Sequence, residues 1–141
     1  DTGNEGLNAA LIKAVQECRE KEIRFRYVVM GRPDRIDSMD MGTLLYNLLS
    51  NGIEACMAVG TERELELVVR EEDGTTEIFM ENTISGSVLK NNPNLESRKQ
   101  DKRYHGFGME SIRGIIGKYQ GHYSYREESG RFIQEIDLRD G

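Results

Sequence analysis

The chain has 141 residues, 37% hydrophobic and 31% charged, enough to bury a core without disulfides or a structural metal. Its net charge of −6 argues against a generic nucleic-acid surface, which needs clustered Lys and Arg. No apolar run reaches the length of a membrane span. Cys18 and Cys56, on separate predicted helices, are too few for a disulfide framework or a metal knuckle and read as buried thiols in a reducing compartment. The start at Asp1, without an initiator Met, is expected of a piece of a longer protein.

In chain order, Leu7, Leu11, Ala14, Val15 and Cys18 form one face of a helix over about 4–22, with Asn4 as its cap. Ile23 to Val29 follows as a strand in which Ile23, Phe25, Tyr27 and Val29 face inward. After a turn at Gly31-Arg32-Pro33-Asp34, a second helix starts with Ser38 or Asp40 as its cap and ends before Gly60. Glu64 to Arg70 and Thr76 to Glu81 read as strands of a hairpin through Asp73-Gly74. Ile112, Ile115, Ile116 and Tyr119 repeat at helical spacing. A second hairpin carries Tyr123 and Tyr125, turns near Ser129-Gly130, and returns with Phe132, Ile133, Ile136 and Leu138. The order predicts an α+β fold, with about three helices on one face of a mixed, largely antiparallel sheet of about five strands. All of 1–141 is read as one domain.

Two segments carry chemistry. On the second helix Asn47, Asn51 and Glu54 fall at i, i+4 and i+7, a polar stripe beside an apolar arc that includes Leu44, Leu48 and Ile53. Asn is a mediocre helix former, so two stacked in mid-helix either serve a metal ion or polar ligand or bond to a neighbouring loop or water. The second is His105-Gly106-Phe107-Gly108-Met109, directly before the third helix. Two glycines one residue apart let the backbone approach a ligand, and the N–H groups of a helix start attract phosphate. Alone, such a pair is weak evidence, since many merely make a turn. It is neither a P-loop nor a dinucleotide fingerprint.

Together and in this order, the segments resemble the N box and second glycine-rich box of the GHKL (Bergerat-fold) ATP-binding superfamily. Asn47-Leu48-Leu49-Ser50-Asn51-Gly52-Ile53-Glu54-Ala55 and His105-Gly106-Phe107-Gly108-Met109-Glu110-Ser111-Ile112-Arg113 are similar to the forms found in Agr-type quorum-sensing histidine kinases. The opening Thr2-Gly3-Asn4-Glu5-Gly6-Leu7-Asn8 is similar to the start of the same domain.

The resemblance implies a domain that binds ATP and Mg2+. Asn51 is then the leading magnesium ligand, with Asn47 assisting through the ion, a water or a phosphate. Gly106 and Gly108, with the N–H groups of Phe107 and Met109, would cradle phosphates. Glu54 belongs either to the site or to the solvated surface, and His105 either touches phosphate or has a hinge or packing role. Most members carry Asp-x-Gly-x-Gly where this chain reads Glu81-Asn82-Thr83-Ile84-Ser85-Gly86. Agr-type kinases commonly have Asn near this position, so the resemblance makes Asn82 the candidate for the adenine pocket, with Glu81 the alternative one register away, and adenine selectivity rests on less than phosphate binding does. Gly52 stands where the family usually has Ala and is expected to permit closer packing.

Thr83 to His105, rich in Asn, Ser, Gly and Lys, is longer than ordinary loops and reads as a lid or a disordered stretch. The resemblance implies an ATP lid, with Lys90, Lys99, Lys102 and Arg103 either near the triphosphate or in solvent. At position 47, the superfamily's hydrolases and serine kinases carry a Glu that activates the nucleophile, and Asn cannot take a proton. The expectation is thus a sensor histidine kinase domain that transfers the γ-phosphate of ATP to a His on a dimerisation helix upstream of Asp1. The alternatives are a degenerate nucleotide- or protein-binding scaffold and a GHKL hydrolase or serine kinase. Expected partners are ATP/ADP, the parent's own dimerisation helices and a response regulator. A monomeric fragment of a homodimeric parent is expected, on the cytoplasmic side of a membrane sensor, with little activity of its own.

Overall fold

In a computed structural model that describes residues 1–96 and 108–139, Asn4 has extended backbone and its Oδ1 accepts from Leu7 N at 3.0 Å, opening α1 (Glu5–Glu20). The same buried amide donates from Nδ2 to the carbonyls of Pro33 and Ile36, so one side chain caps a helix and ties down the approach to the next. Leu7, Leu11, Ala14 and Cys18 form the buried stripe of α1, with Val15 at its flank. Strand β1 (Arg24–Met30) follows and leads to α2 (Ser38–Met57). The cap of α2 is Asp37, a correction to the expected Ser38 or Asp40. Asp37 is the last residue outside the helix, and its Oδ2 accepts from Asp40 N at 3.1 Å. Ser38 and Asp40 already lie in the first turn.

Helices α1 and α2 cross where two glycines meet. A Cβ on Gly6 would lie 2.0 Å from Ser38 O and 2.7 Å from Gly42 N, so only glycine permits this approach. Strand β2 (Glu64–Glu72) pairs with β3 (Thr75–Thr83) through Asp73-Gly74, and β4 (His122–Glu128) pairs with β5 (Arg131–Arg139) through Ser129-Gly130. All four turn residues have positive φ, between 51° and 81°, the left-handed pair that a two-residue hairpin requires. Between the hairpins lies α3 (Gly108–Lys118).

The strands run in the order β1-β2-β3-β5-β4. Only β1 and β2 are parallel, joined by α2 as the crossover. The expected α+β architecture is therefore the observed one. One strand differs in detail: Tyr27 was expected to face a covered interior and is 47% exposed, because β1 is an edge strand. The core lies between α2 and the middle of the sheet, where Leu44, Leu45 and Leu48 meet the inward rows of β2, β3 and β5. Each fully buried leucine of this kind stabilises the fold by roughly 1.5–3 kcal/mol. The other face of the sheet carries ion pairs, with Arg26 near Glu66 and Arg131 bridging Glu64 and Glu81, beside an apolar row of Val28, Val68 and Phe79. Both cysteines are free and buried.

Candidate functional site

Helices α2 and α3 pack against each other, and two contacts fix their relative direction. At one end Asp40 binds Tyr119 and Lys118; at the other, Asn47 and Asn51 meet Gly108. A Cβ on Gly108 would stand 3.6 Å from Asn47 Oδ1 and 3.9 Å from Asn51 Nδ2, so the missing side chain leaves room between two carboxamides and a helix start. Asn47 donates from Nδ2 to Thr43 O at 2.9 Å, one turn back on its own helix, which leaves its Oδ1 for whatever enters that room.

A cavity of about 410 Å³ opens beside this junction. Its size is that of small-molecule and cofactor sites in general. Asn51, Glu54 and Ala55 of α2 form one wall, Met109 of α3 stands beside Asn51, and Asn82, Phe132 and Gln134 of the sheet form the floor. Val88 and Leu95, from the segment after β3, line a further side. Gly52 brings the helix down onto that floor: a Cβ there would come within 2.9 Å of Leu65 Cδ1 and 3.6 Å of Asn82 Oδ1.

Asn82 is 2% exposed at the inward end of β3, opposite Leu65 on one side and Phe132 on the other. Its Nδ2 donates to Thr83 O at 3.1 Å, which leaves Oδ1 as an acceptor. Glu81, its neighbour in sequence, faces the opposite side of the sheet, where it lies 3.7 Å from Arg131 Nε. Of the two register alternatives, Asn82 is the one that reaches the cavity.

The segment after β3 was expected to be a lid or disordered. Its described part, 84–96, is anchored to β4. Glu127 accepts from Ser87 Oγ at 2.7 Å and from the N–H groups of Val88 and Leu89, and Tyr125 donates to Pro93 O at 2.9 Å. Burial pushes the Glu127 carboxyl upward, but the bonds from Ser87, Leu89 and Val88 outweigh it and hold the group below the usual carboxylate range. Arg113 of α3 also binds this segment, donating to Asn94 O at 2.7 Å.

Of the expected site residues, Asn51, Glu54, Asn82 and Met109 line the cavity, while Asn47 and Gly108 meet each other and Asn51 beside it. His105, Gly106 and Phe107 lie outside the described residues, as do Lys99, Lys102 and Arg103. Lys90 is exposed and away from the cavity wall. Sequence reading missed the floor residues Phe132 and Gln134 and the lining residues Val88 and Leu95. One signal was present: Gln134 occupies an inward position in a strand whose other inward members, Phe132, Ile136 and Leu138, are apolar.

Comparison with known proteins follows the same lines. A family model described as GHKL domain matches residues 36–139, which include both asparagines of α2, Asn82 and Gly108. No curated protein matches the chain. Among solved structures, the catalytic domain of histidine kinase ThkA is similar, with a TM-score of 0.75 at 16% identity over 99% of this chain and 93% of that one. The mycobacterial sensor histidine kinase MprB gives 0.67 at 16% identity, covering 94% of this chain and 93% of the other. The histidine kinase domain of the Erythrobacter litoralis EL346 blue-light activated kinase gives 0.69 at 14% identity over 90% of this chain and 57% of that one. At such identities the likeness is one of fold.

Proposed function

The chain belongs to the GHKL family of ATP-binding domains and has the fold of histidine kinase catalytic domains; on that premise we propose that it is the catalytic domain of a sensor histidine kinase in a two-component system, of the Agr type. It takes Mg-ATP into the cavity and presents the γ-phosphate to a His on a dimerisation helix elsewhere in the parent, which then supplies a response regulator. The observation that carries this reading is the meeting of Asn47 and Asn51 with Gly108 at a cavity whose floor holds a buried carboxamide acceptor, Asn82.

Phosphoryl transfer asks a protein for positioning and charge compensation rather than covalent chemistry. The donor set fits a magnesium ion, since the Asn47 and Asn51 carboxamide oxygens are the neutral, hard ligands it accepts alongside phosphate oxygens and water. When bound, the ion supplies neutralisation of triphosphate charge. Asn51 and Asn47 hold it, the start of α3 at Gly108 and Met109 offers N–H groups to phosphate, and Asn82 Oδ1 accepts from the adenine amino group. Asn47 holds no basic lone pair, so water is not activated there and hydrolysis by the isolated domain is feeble. The acceptor imidazole is a competent nucleophile by itself.

A degenerate domain that serves as a scaffold is the second reading, favoured by Asn82 standing where most of the superfamily carries a carboxylate. Calorimetric titration with ATP, ADP and GTP, with and without magnesium, separates the two. Magnesium-dependent ATP binding is expected, and no binding would leave the scaffold. For the parent, we place this domain on the cytoplasmic side of a membrane sensor that dimerises through its upstream helices. Fusing the domain to its own upstream segment should yield acid-labile phosphate, whereas acid-stable phosphate on a partner serine would overturn the histidine kinase assignment.

A further inference from the structure

Gln134 is 5% exposed on the inward row of β5, in register with Met80 of β3 and Tyr125 of β4. A carboxamide among core side chains destabilises a fold unless both of its ends find partners. One end has its partner: Tyr123 donates its O–H to Gln134 Oε1 at 2.5 Å. Burial pushes the Tyr123 phenol well above the usual tyrosine range, so it keeps its proton and stays a donor. The bond fixes which way the amide faces. Among the described residues Gln134 Nε2 has no acceptor, and Gln134 lines the cavity.

Asn82 presents the complementary group. Its Nδ2 is engaged with Thr83 O, and its Oδ1 remains to accept. Asn82 pairs with Phe132 in the β3–β5 ladder, so Gln134 lies two positions along on the same face, a diagonal neighbour within side-chain reach. The cavity floor therefore offers one fixed acceptor beside one fixed donor. Adenine shows the matching pair on one edge, an N6 amino donor next to the N1 acceptor. Guanine and hypoxanthine show the reverse, an O6 acceptor next to an N1–H donor.

We propose that Gln134, oriented by Tyr123, is a second nucleobase-selecting residue of this site, donating Nε2–H to N1 of adenine while Asn82 Oδ1 accepts from N6. The proposal rests on the nucleotide-binding reading above and adds to it the polarity with which the base is read. A 6-oxopurine leaves two buried groups facing like partners, the kind of mismatch that separates ligands more sharply than a change in apolar volume does.

The test is calorimetric titration of this chain with Mg-ATP and with Mg-1-deaza-ATP, in which a C–H replaces N1. The unmodified chain should bind the deaza analogue about tenfold more weakly, the equivalent of one buried hydrogen bond. In Gln134→Leu that gap should close, and in Tyr123→Phe, where the amide is free to turn, it should narrow. Circular dichroism melts verify that both variants are folded. Equal binding of ATP and the analogue by the unmodified chain overturns the proposal without requiring any variant, as does a tenfold gap that survives in folded Gln134→Leu. Failure of every nucleotide to bind overturns the nucleotide-site reading itself, and this proposal with it.

Discussion

Tyr119 donates its phenolic O–H to Asp40 Oδ2 at 2.6 Å, joining residues 79 positions apart. The same oxygen of Tyr119 accepts from Asp37 N at 3.1 Å, and Lys118 binds Asp40 at 2.8 Å. From Asp40 to Asn51 on α2 and from Gly108 to Tyr119 along α3 is the same number of residues, about 16 Å at 1.5 Å each. The clamp at one end thus holds the two helices in antiparallel alignment, which sets where Gly108 meets the asparagines at the other.

Removing the phenol tests that clamp. Tyr119→Phe should lower stability by about 1.5–3 kcal/mol, the usual loss for a hydrogen bond to a charged group, with little change in helix content. Urea denaturation followed by circular dichroism measures it. On the proposed function, Mg-ATP affinity should fall as well, because the alignment of Gly108 with Asn47 and Asn51 depends on the same pairing of helices.

The clamp also has an acid limit. Lys118, then Tyr119, hold the Asp40 carboxyl below its ordinary value of 3.8. A carboxyl lowered by folding contributes stability that is present above its unfolded pKa and is lost as pH falls through the folded one. Glu127, lowered from 4.5, follows the same sign at the segment 84–96. Unfolding free energy measured from pH 6 down to pH 2 should therefore be level at first and fall below about pH 4. In Asp40→Asn that fall should be shallower.

Glu127→Gln should act locally. It keeps the shape but weakens the acceptor for Ser87, Val88 and Leu89, so native-state hydrogen exchange at the Val88 and Leu89 amides should speed up while the α2 amides stay protected. Equal acceleration throughout would mean that Glu127 supports the whole fold rather than this one segment.

Much of this was legible in the sequence because the signals are periodic or local. Helical spacing put Asn47, Asn51 and Glu54 on one stripe, and two hairpins were announced by Asp73-Gly74 and Ser129-Gly130, whose left-handed φ values favour such residues. What stayed hidden depends on partners distant in the chain. The exposure of Tyr27 follows from β1 lying at the sheet edge, which no pattern within β1 reveals. Asp37 competed as a cap with Ser38 and Asp40, and the cap is the residue whose backbone stays outside the helix, while Asp40 lies in the first turn and binds Tyr119, 79 positions away. Glu127 meets its partners across 38 to 40 positions. Gln134 was passed over because the apolar residues around it made the strand read as core.

The helix crossing at Gly6 predicts a sharp steric effect. In Gly6→Ala the new methyl would collide with the backbone of Ser38, which cannot swing aside as a flexible side chain could. Overpacking of this kind costs typically 1–3 kcal/mol. A thermal melt should show the loss, whereas Gly114→Ala, with open space around the added carbon, should be neutral or slightly stabilising.

The thiols give a chemical readout of the core. Burial, with a smaller contribution from Cys56, pushes Cys18 up to about 11, and burial also raises Cys56. Both should react slowly with a disulfide reagent at pH 8 in the folded protein and quickly in urea. Because Cys18 is raised by folding, its contribution to stability is complete below its ordinary value of 9.0 and fades as pH climbs toward 11.

Strands β3 and β5 are matched without interruption from Thr75 opposite Arg139 to Thr83 opposite Arg131. A ladder of that length has no slack: sliding by one residue would turn every inward side chain outward. The backbone beneath the cavity is consequently a fixed grid, and on the base reading proposed above, variants that favour a different base arise by exchanging side chains at its nodes. Evolution can rewrite the lettering on this floor far more easily than it can relay the boards.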